Sequence, residues 1–129
     1  MRPRWGQGAF RILVTDAYGR RCAVTREKAL PVLQAAHIRP LSEGGVHSLD
    51  NGLLLRADVH ALYDRGYVTV TPDLTFRASR RLKDDFDNGE HYFAMSGSRV
   101  WVPEDEASRP TPMWESRSFF SAIGWASTS

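Results

Sequence analysis

Cysteine occurs once in this chain, at Cys22, so no disulfide can close within it and no all-cysteine zinc site can be built from it. Any metal it binds has to be held by His, Asp, Glu, Asn or water. Long hydrophobic runs are also missing. No apolar stretch approaches the length needed to span a bilayer, and residues 1–8 carry no apolar core of the kind a secretory signal needs, which leads us to expect a cytoplasmic protein that stays off membranes. Lysine is scarce, with only Lys28 and Lys83 against fifteen arginines. That skew suits phosphate, because a planar guanidinium donates two parallel hydrogen bonds to it, although a codon bias toward arginine explains it equally well. No internal repeat and no linker divides the chain. With 129 residues, 42% hydrophobic and 25% charged, it has the size and composition of one globular domain, and the net charge of +2 is only mildly basic.

Residues 8–18 place Phe10, Leu13, Val14 and Tyr18 at helical spacing, and Gly19 ends the pattern as a helix-terminal glycine does. Residues 22–25 and 31–36 are short apolar runs that read as strands. An irregular stretch rich in Pro, Ser and Gly follows over 39–50. Residues 53–56 read as a further strand, and Asp58 is a candidate N-cap for a short helix to Asp64, stopped by Gly66. Beyond it, residues 67–71 and 74–78 flank Pro72-Asp73 as a hairpin, and 80–86 suits a short helix. Asn88-Gly89 signals a turn, 100–102 a last strand, 113–120 a terminal helix, and 126–129 a frayed end. The expected class is α+β.

The chemistry concentrates in residues 35–66, AAHIRPLSEGGVHSLDNGLLLRADVHALYDRG. His37, Asn51 and His60 follow in that order, with Pro40 and the pair Gly44-Gly45 between the first two, on a strand, loop, strand and helix. This resembles the HNH nuclease signature. The residues around it, from 6–8 through 21–25 and again at 51–56, resemble a bacterial branch of that family without the cysteine pairs of its zinc-stapled relatives, and the likeness covers roughly residues 6–114. It implies a ββα-metal core over about 31–66 inside one domain, 1–129, with an N-terminal helix and a C-terminal hairpin and helix. It also implies one divalent cation, magnesium first, with Mn2+, Ni2+ or Zn2+ compatible. The family-like run starts only at Gly6, which fits a longer chain upstream.

Phosphodiester hydrolysis needs a base to activate water, a cation to stabilise charge on the phosphoryl oxygens, and relief for the leaving oxygen. His37, at a strand end beside a loop, suits the base because imidazole titrates near working pH. Asn51 suits a geometric role, its amide bonding across the loop to fix the backbone that carries His37. His60 and Asp64 are four apart on the expected helix and share one face, which makes them metal ligands, with Asp58 closing the set. The helix dipole disfavours a proton on His60 and attracts a phosphate. Arg39, Arg56 and Arg65 flank the motif as contacts to the nucleic-acid backbone, with Arg20, Arg21, Arg80 and Arg81 further out.

Each residue also has a plain structural explanation. Asp58 can simply cap a helix, Asp64 can pair with an arginine, Asn51-Gly52 is an ordinary turn, and His47 reads as a surface residue. Two positions depart from the family pattern. Ala36 stands where many HNH enzymes have a metal-binding Asp or His just before the base, and Trp114-Glu115 where relatives often have Trp-His. The expectation is a metal-dependent endonuclease acting on DNA, double-stranded first, in a restriction or defence setting. Such a compact unit leaves little room for a specificity module, so sequence-independent nicking or dependence on a specificity module or partner protein is expected, and a homodimer is compatible. The competing expectations are a non-catalytic nucleic-acid-binding module and a hydrolase of RNA or a cyclic nucleotide.

Overall fold

Helix α1 (Gln7–Ala17) carries Phe10 and Val14 on one face, and Tyr18 at its end completes a buried stripe, while Ile12 and Leu13 on the other side are exposed. The computed structural model describes residues 6–86 and 89–110. The helix stops at Gly19, whose φ of 64° no longer follows the helical path. Its buried stripe packs on a two-stranded antiparallel sheet of β1 (Leu33–His37) and β2 (Gly52–Arg56), whose register pairs Leu33 with Arg56 at one end and His37 with Gly52 at the other. Leu53, Leu54 and Leu55 are all buried, so this short strand is covered on both faces and reads as a continuous apolar run. The Tyr18 hydroxyl, buried with it, donates to the Gly52 carbonyl at 2.9 Å.

Helix α2 (Ala57–Asp64) leaves β2 without a loop and buries Val59 and Tyr63 in the same core. A hairpin of β3 (Val68–Val70) and β4 (Phe76–Ala78) adds Val68, Val70 and Phe76 to it, and two short helices, α3 (Arg80–Phe86) and α4 (Glu90–Phe93), follow. The molecule is therefore α+β, with β1, β2 and α2 forming a ββα unit, as the sequence led us to expect. No helix among the described residues is long and apolar enough to cross a membrane.

Several local expectations change. Residues 22–25 form a turn and not a strand: Cys22 N–H donates to the Glu27 carbonyl at 2.8 Å, Arg26 N–H to the Cys22 carbonyl at 3.0 Å, and only Ala23 N–H reaches β2, at Leu54. Cys22 and Ala23 are buried and Val24 is half-buried, which is why they mimic a strand in sequence. Residues 30–32 form a single 3-10 turn with Pro31 near its start, where the missing N–H costs nothing, and β1 begins only at Leu33. Residues 100–102 form no ladder, because Val100 N–H bonds to Leu74 while Trp101 N–H bonds to Ala23. Helix α2 starts at Ala57 with Arg56 as its N-cap, so Asp58 is inside the first turn and not the cap. The expected terminal helix over 113–120, Trp114-Glu115 and the end at 126–129 lie outside the described residues.

Candidate active site

His37 closes β1. Ala36 before it is fully buried in the core, so strand alternation turns His37 to the other side, where it lines an open cleft. One face of its ring lies flat on Phe10 of α1, with centroids 4.2 Å apart and planes 6° from parallel. Its Nε2 sits 3.0 Å from Nδ1 of His47. Burial holds the His37 imidazole below its ordinary pKa, the neighbouring His47 adds to this, and Asp64 partly offsets it while His60 reinforces it. The ring is thus held neutral, the form that can accept a proton.

Asn51 organises the loop between the two strands. Its Oδ1 accepts from Arg39 N–H at 2.8 Å, and its Nδ2 donates to the carbonyls of Arg39 at 3.1 Å and Val46 at 2.9 Å. The amide therefore ties the backbone two residues after His37 to the residue just before His47. The loop is drawn so tight that a Cβ on Gly45 would stand 1.8 Å from the Arg39 carbonyl oxygen, a position no side chain can occupy.

His60 and Asp64 lie one turn apart on α2, with His60 Nε2 3.1 Å from an Asp64 carboxylate oxygen. The other ring nitrogen, Nδ1, lies 2.6 Å from Oε1 of Gln34 on β1. An amide oxygen only accepts, so Nδ1 carries the proton and donates it to Gln34. Nε2 then faces a carboxylate oxygen across 3.1 Å. Two electron-rich atoms at that separation call for a cation between or beside them, either a proton or a metal ion. Among the described residues no three His, Cys, Asp or Glu side chains converge as a metal cage. The donor set fits a hard divalent ion that takes one or two protein ligands and keeps its remaining positions for water.

Asp58 is not brought to this site. Its Oδ1 accepts from Arg56 Nε at 2.7 Å and from Val59 N–H at 2.9 Å, and its Oδ2 from Arg56 Nη2 at 3.0 Å and the Tyr92 hydroxyl at 2.8 Å. These bonds, the arginine's first, pull its pKa down to about 2, and they correct the expectation that Asp58 completes a metal site with His60 and Asp64. Arg56 is committed to the same cluster and also lies 3.1 Å from His91 Nε2. Arg39 is exposed, with Nε donating to the Glu43 carbonyl at 2.7 Å, and Arg65 is exposed just beyond the end of α2.

The cleft that collects His37, His60 and Asp64 has a volume of about 540 Å3 and is also lined by Gln7, Ser42 and Glu43. Two partners of its residues escaped the sequence reading. His47 was expected at the surface and is half-buried against His37, while Gln34 carried no signal, since its partner is 26 residues away.

Residues 22–71 match the model of the HNH endonuclease family. The matched segment contains both strands, the connecting loop and α2, and so every residue of the cleft except Gln7. Among solved structures, a modification dependent TagI restriction endonuclease is 27% identical, over 74% of this chain and 30% of that one, with a TM-score of 0.48. The chain spans 30% of the length of that structure. No curated protein matches.

Proposed function

We propose that this chain is a metal-dependent endonuclease of the HNH type that hydrolyses phosphodiester bonds of DNA. The observation that carries the reading is that a neutral histidine, His37, and a histidine and carboxylate poised against one another, His60 and Asp64, line one solvent-open cleft. His37 is the general base, taking a proton from the attacking water at the ring nitrogen that His47 leaves free. Asn51 holds the loop on which that geometry depends. His60 and Asp64 hold a divalent cation, magnesium first by their donor type, and Gln34 keeps the His60 proton on the nitrogen away from it. When bound, the cation supplies positive charge to the phosphoryl oxygens. Arg39 and Arg65 are free enough in exposure to bear on the phosphate backbone, a contact that positions without reading sequence. Restriction or defence is the proposed setting, and the substrate is double-stranded DNA.

A second reading has an observation of its own. The two-member donor set, with Ala36 buried where a third ligand would stand in many relatives, favours a nucleic-acid-binding module that does not cut. Purified protein incubated with supercoiled plasmid and Mg2+, Mn2+ or EDTA, beside His37→Ala, separates the two. The enzyme reading expects nicking that needs metal and falls about a hundredfold or more in the variant. Retardation of the plasmid on a gel with no nicking under any metal would replace it with the binding module.

A further inference from the structure

His47 is the polar partner of the proposed base, bonded to the ring nitrogen that does not face water. The pair has two hydrogen-bonding arrangements, because Nε2 of His37 and Nδ1 of His47 share one proton across 3.0 Å. If His37 donates, His37 is protonated on Nε2 and its Nδ1 lone pair is free, while His47, accepting at Nδ1, carries its own proton on Nε2. If His47 donates, both rings are instead protonated on Nδ1, and His37 has no free lone pair. The Nε2–H form is the intrinsically preferred tautomer of neutral histidine. The first arrangement thus satisfies both rings at once, and the second frustrates both.

We infer that His47 is a positioning residue that accepts the Nε2 proton of His37 and so holds the base in the one tautomer whose Nδ1 can take a proton from water. The inference rests on the reading of His37 as the base. The surroundings support it from two further sides. Phe10, stacked on His37 and tilted against His47 with centroids 5.3 Å apart, fixes the planes of both rings. Asn51 bonds the Val46 carbonyl, so the residue that delivers His47 is anchored by the same amide that anchors the backbone beyond His37. Burial and the adjacent His47 both disfavour a proton on Nδ1 at rest, which keeps the lone pair available.

Two substitutions and one spectrum test this. Asn at position 47 offers an amide oxygen near the place of Nδ1 and can still accept from His37, whereas Ala cannot. His47→Ala is expected to lower plasmid nicking by about tenfold or more, and His47→Asn to restore most of it with plasmid binding equal in all three proteins. Two-bond nitrogen–proton correlation spectra of the histidine rings above their titration range should find His37 protonated on Nε2 in the wild type and in His47→Asn, a readout that needs neither metal nor turnover. A wild-type His37 protonated on Nδ1 overturns the inference. So does full nicking by His47→Ala while His37→Ala is inactive, and that result leaves the base reading intact. Nicking undiminished by His37→Ala overturns the base reading itself, and the role of His47 falls with it. Should His47→Ala fail to fold, the tautomer of the wild-type ring and the activity of His47→Asn still decide.

Discussion

At the scale of single residues, the cleft is governed by which atom of each histidine holds its proton. His37 and His60 are both half-buried and each has a polar partner that fixes one ring nitrogen, His47 for the first and Gln34 for the second. The consequences differ: His37 is left with a nitrogen for water, His60 with a nitrogen facing Asp64. A pH prediction follows for the proposed base. A histidine whose pKa is lowered by burial and by a neighbouring imidazole stays neutral further into acid, so the rate should begin to fall only below the ordinary histidine value of about 6.5. His47 and His60 push the limb to lower pH and Asp64 pushes it back, so His47→Asn, which removes one of the two imidazoles that disfavour a proton on His37, should move the limb upward. Nicking rates from pH 5 to 8 at fixed metal check both statements. An acid limb above the ordinary histidine range would contradict the assignment.

At the scale of elements, the contact between α1 and β2 sets the floor beneath His37. Gly52 pairs with His37 across the sheet, and a Cβ there would stand 2.6 Å from Cγ2 of Val14 and 3.2 Å from Cζ of Phe10. Val14 is β-branched and fully buried, so it cannot swing aside. Gly52→Ala should therefore push α1 off the sheet, costing about 1–3 kcal/mol by overpacking, and disturb the Phe10 face on which His37 rests. Urea denaturation gives the first quantity and the His37 ring resonances the second. A variant as stable as the wild type would mean that α1 gives way more easily than its packing suggests. The same elements mark how far the sequence could be read. The helix of 8–18, the helix of 80–86 and the hairpin were legible because their apolar spacing and turn residues act locally. Residues 22–25 and 100–102 were misread because burial alone, without a pleat, selects the same apolar residues. Within the cleft, the spacing of His60 and Asp64 is a property of one helix and could be foreseen, as could the bridging amide of Asn51. The His47 and Gln34 contacts depend on how a loop folds back and how a helix crosses a strand, and no local spacing encodes either.

At the scale of the whole molecule, the ββα unit is joined to the later part of the chain by a polar cluster, not only by the core. Arg56 at the end of β2 and Asp58 in α2 meet Tyr92 and His91 of α4, so a carboxylate expected to bind metal instead fastens the site-bearing unit to a distant helix. This role makes a claim about pH and stability. The Asp58 carboxyl titrates at about 2 in the folded protein, held down first by its bond to Arg56 and then by those from Tyr92 and Val59, against about 3.9 when unfolded. A depressed carboxylate stabilises the fold above its unfolded value, and that stabilisation drains away as the pH falls toward the folded one. Its size is modest, because the side chain is 39% exposed and solvent screens the pair; the loss in Asp58→Asn at neutral pH should be about 1 kcal/mol or less. Urea midpoints of the two proteins should differ at pH 7 and converge between about pH 4 and pH 2, with metal affinity unchanged throughout. A difference that persists undiminished into acid would deny the ionic link between the two parts of the chain, and a loss of metal affinity in Asp58→Asn would return Asp58 to the ligand set from which its hydrogen bonds remove it.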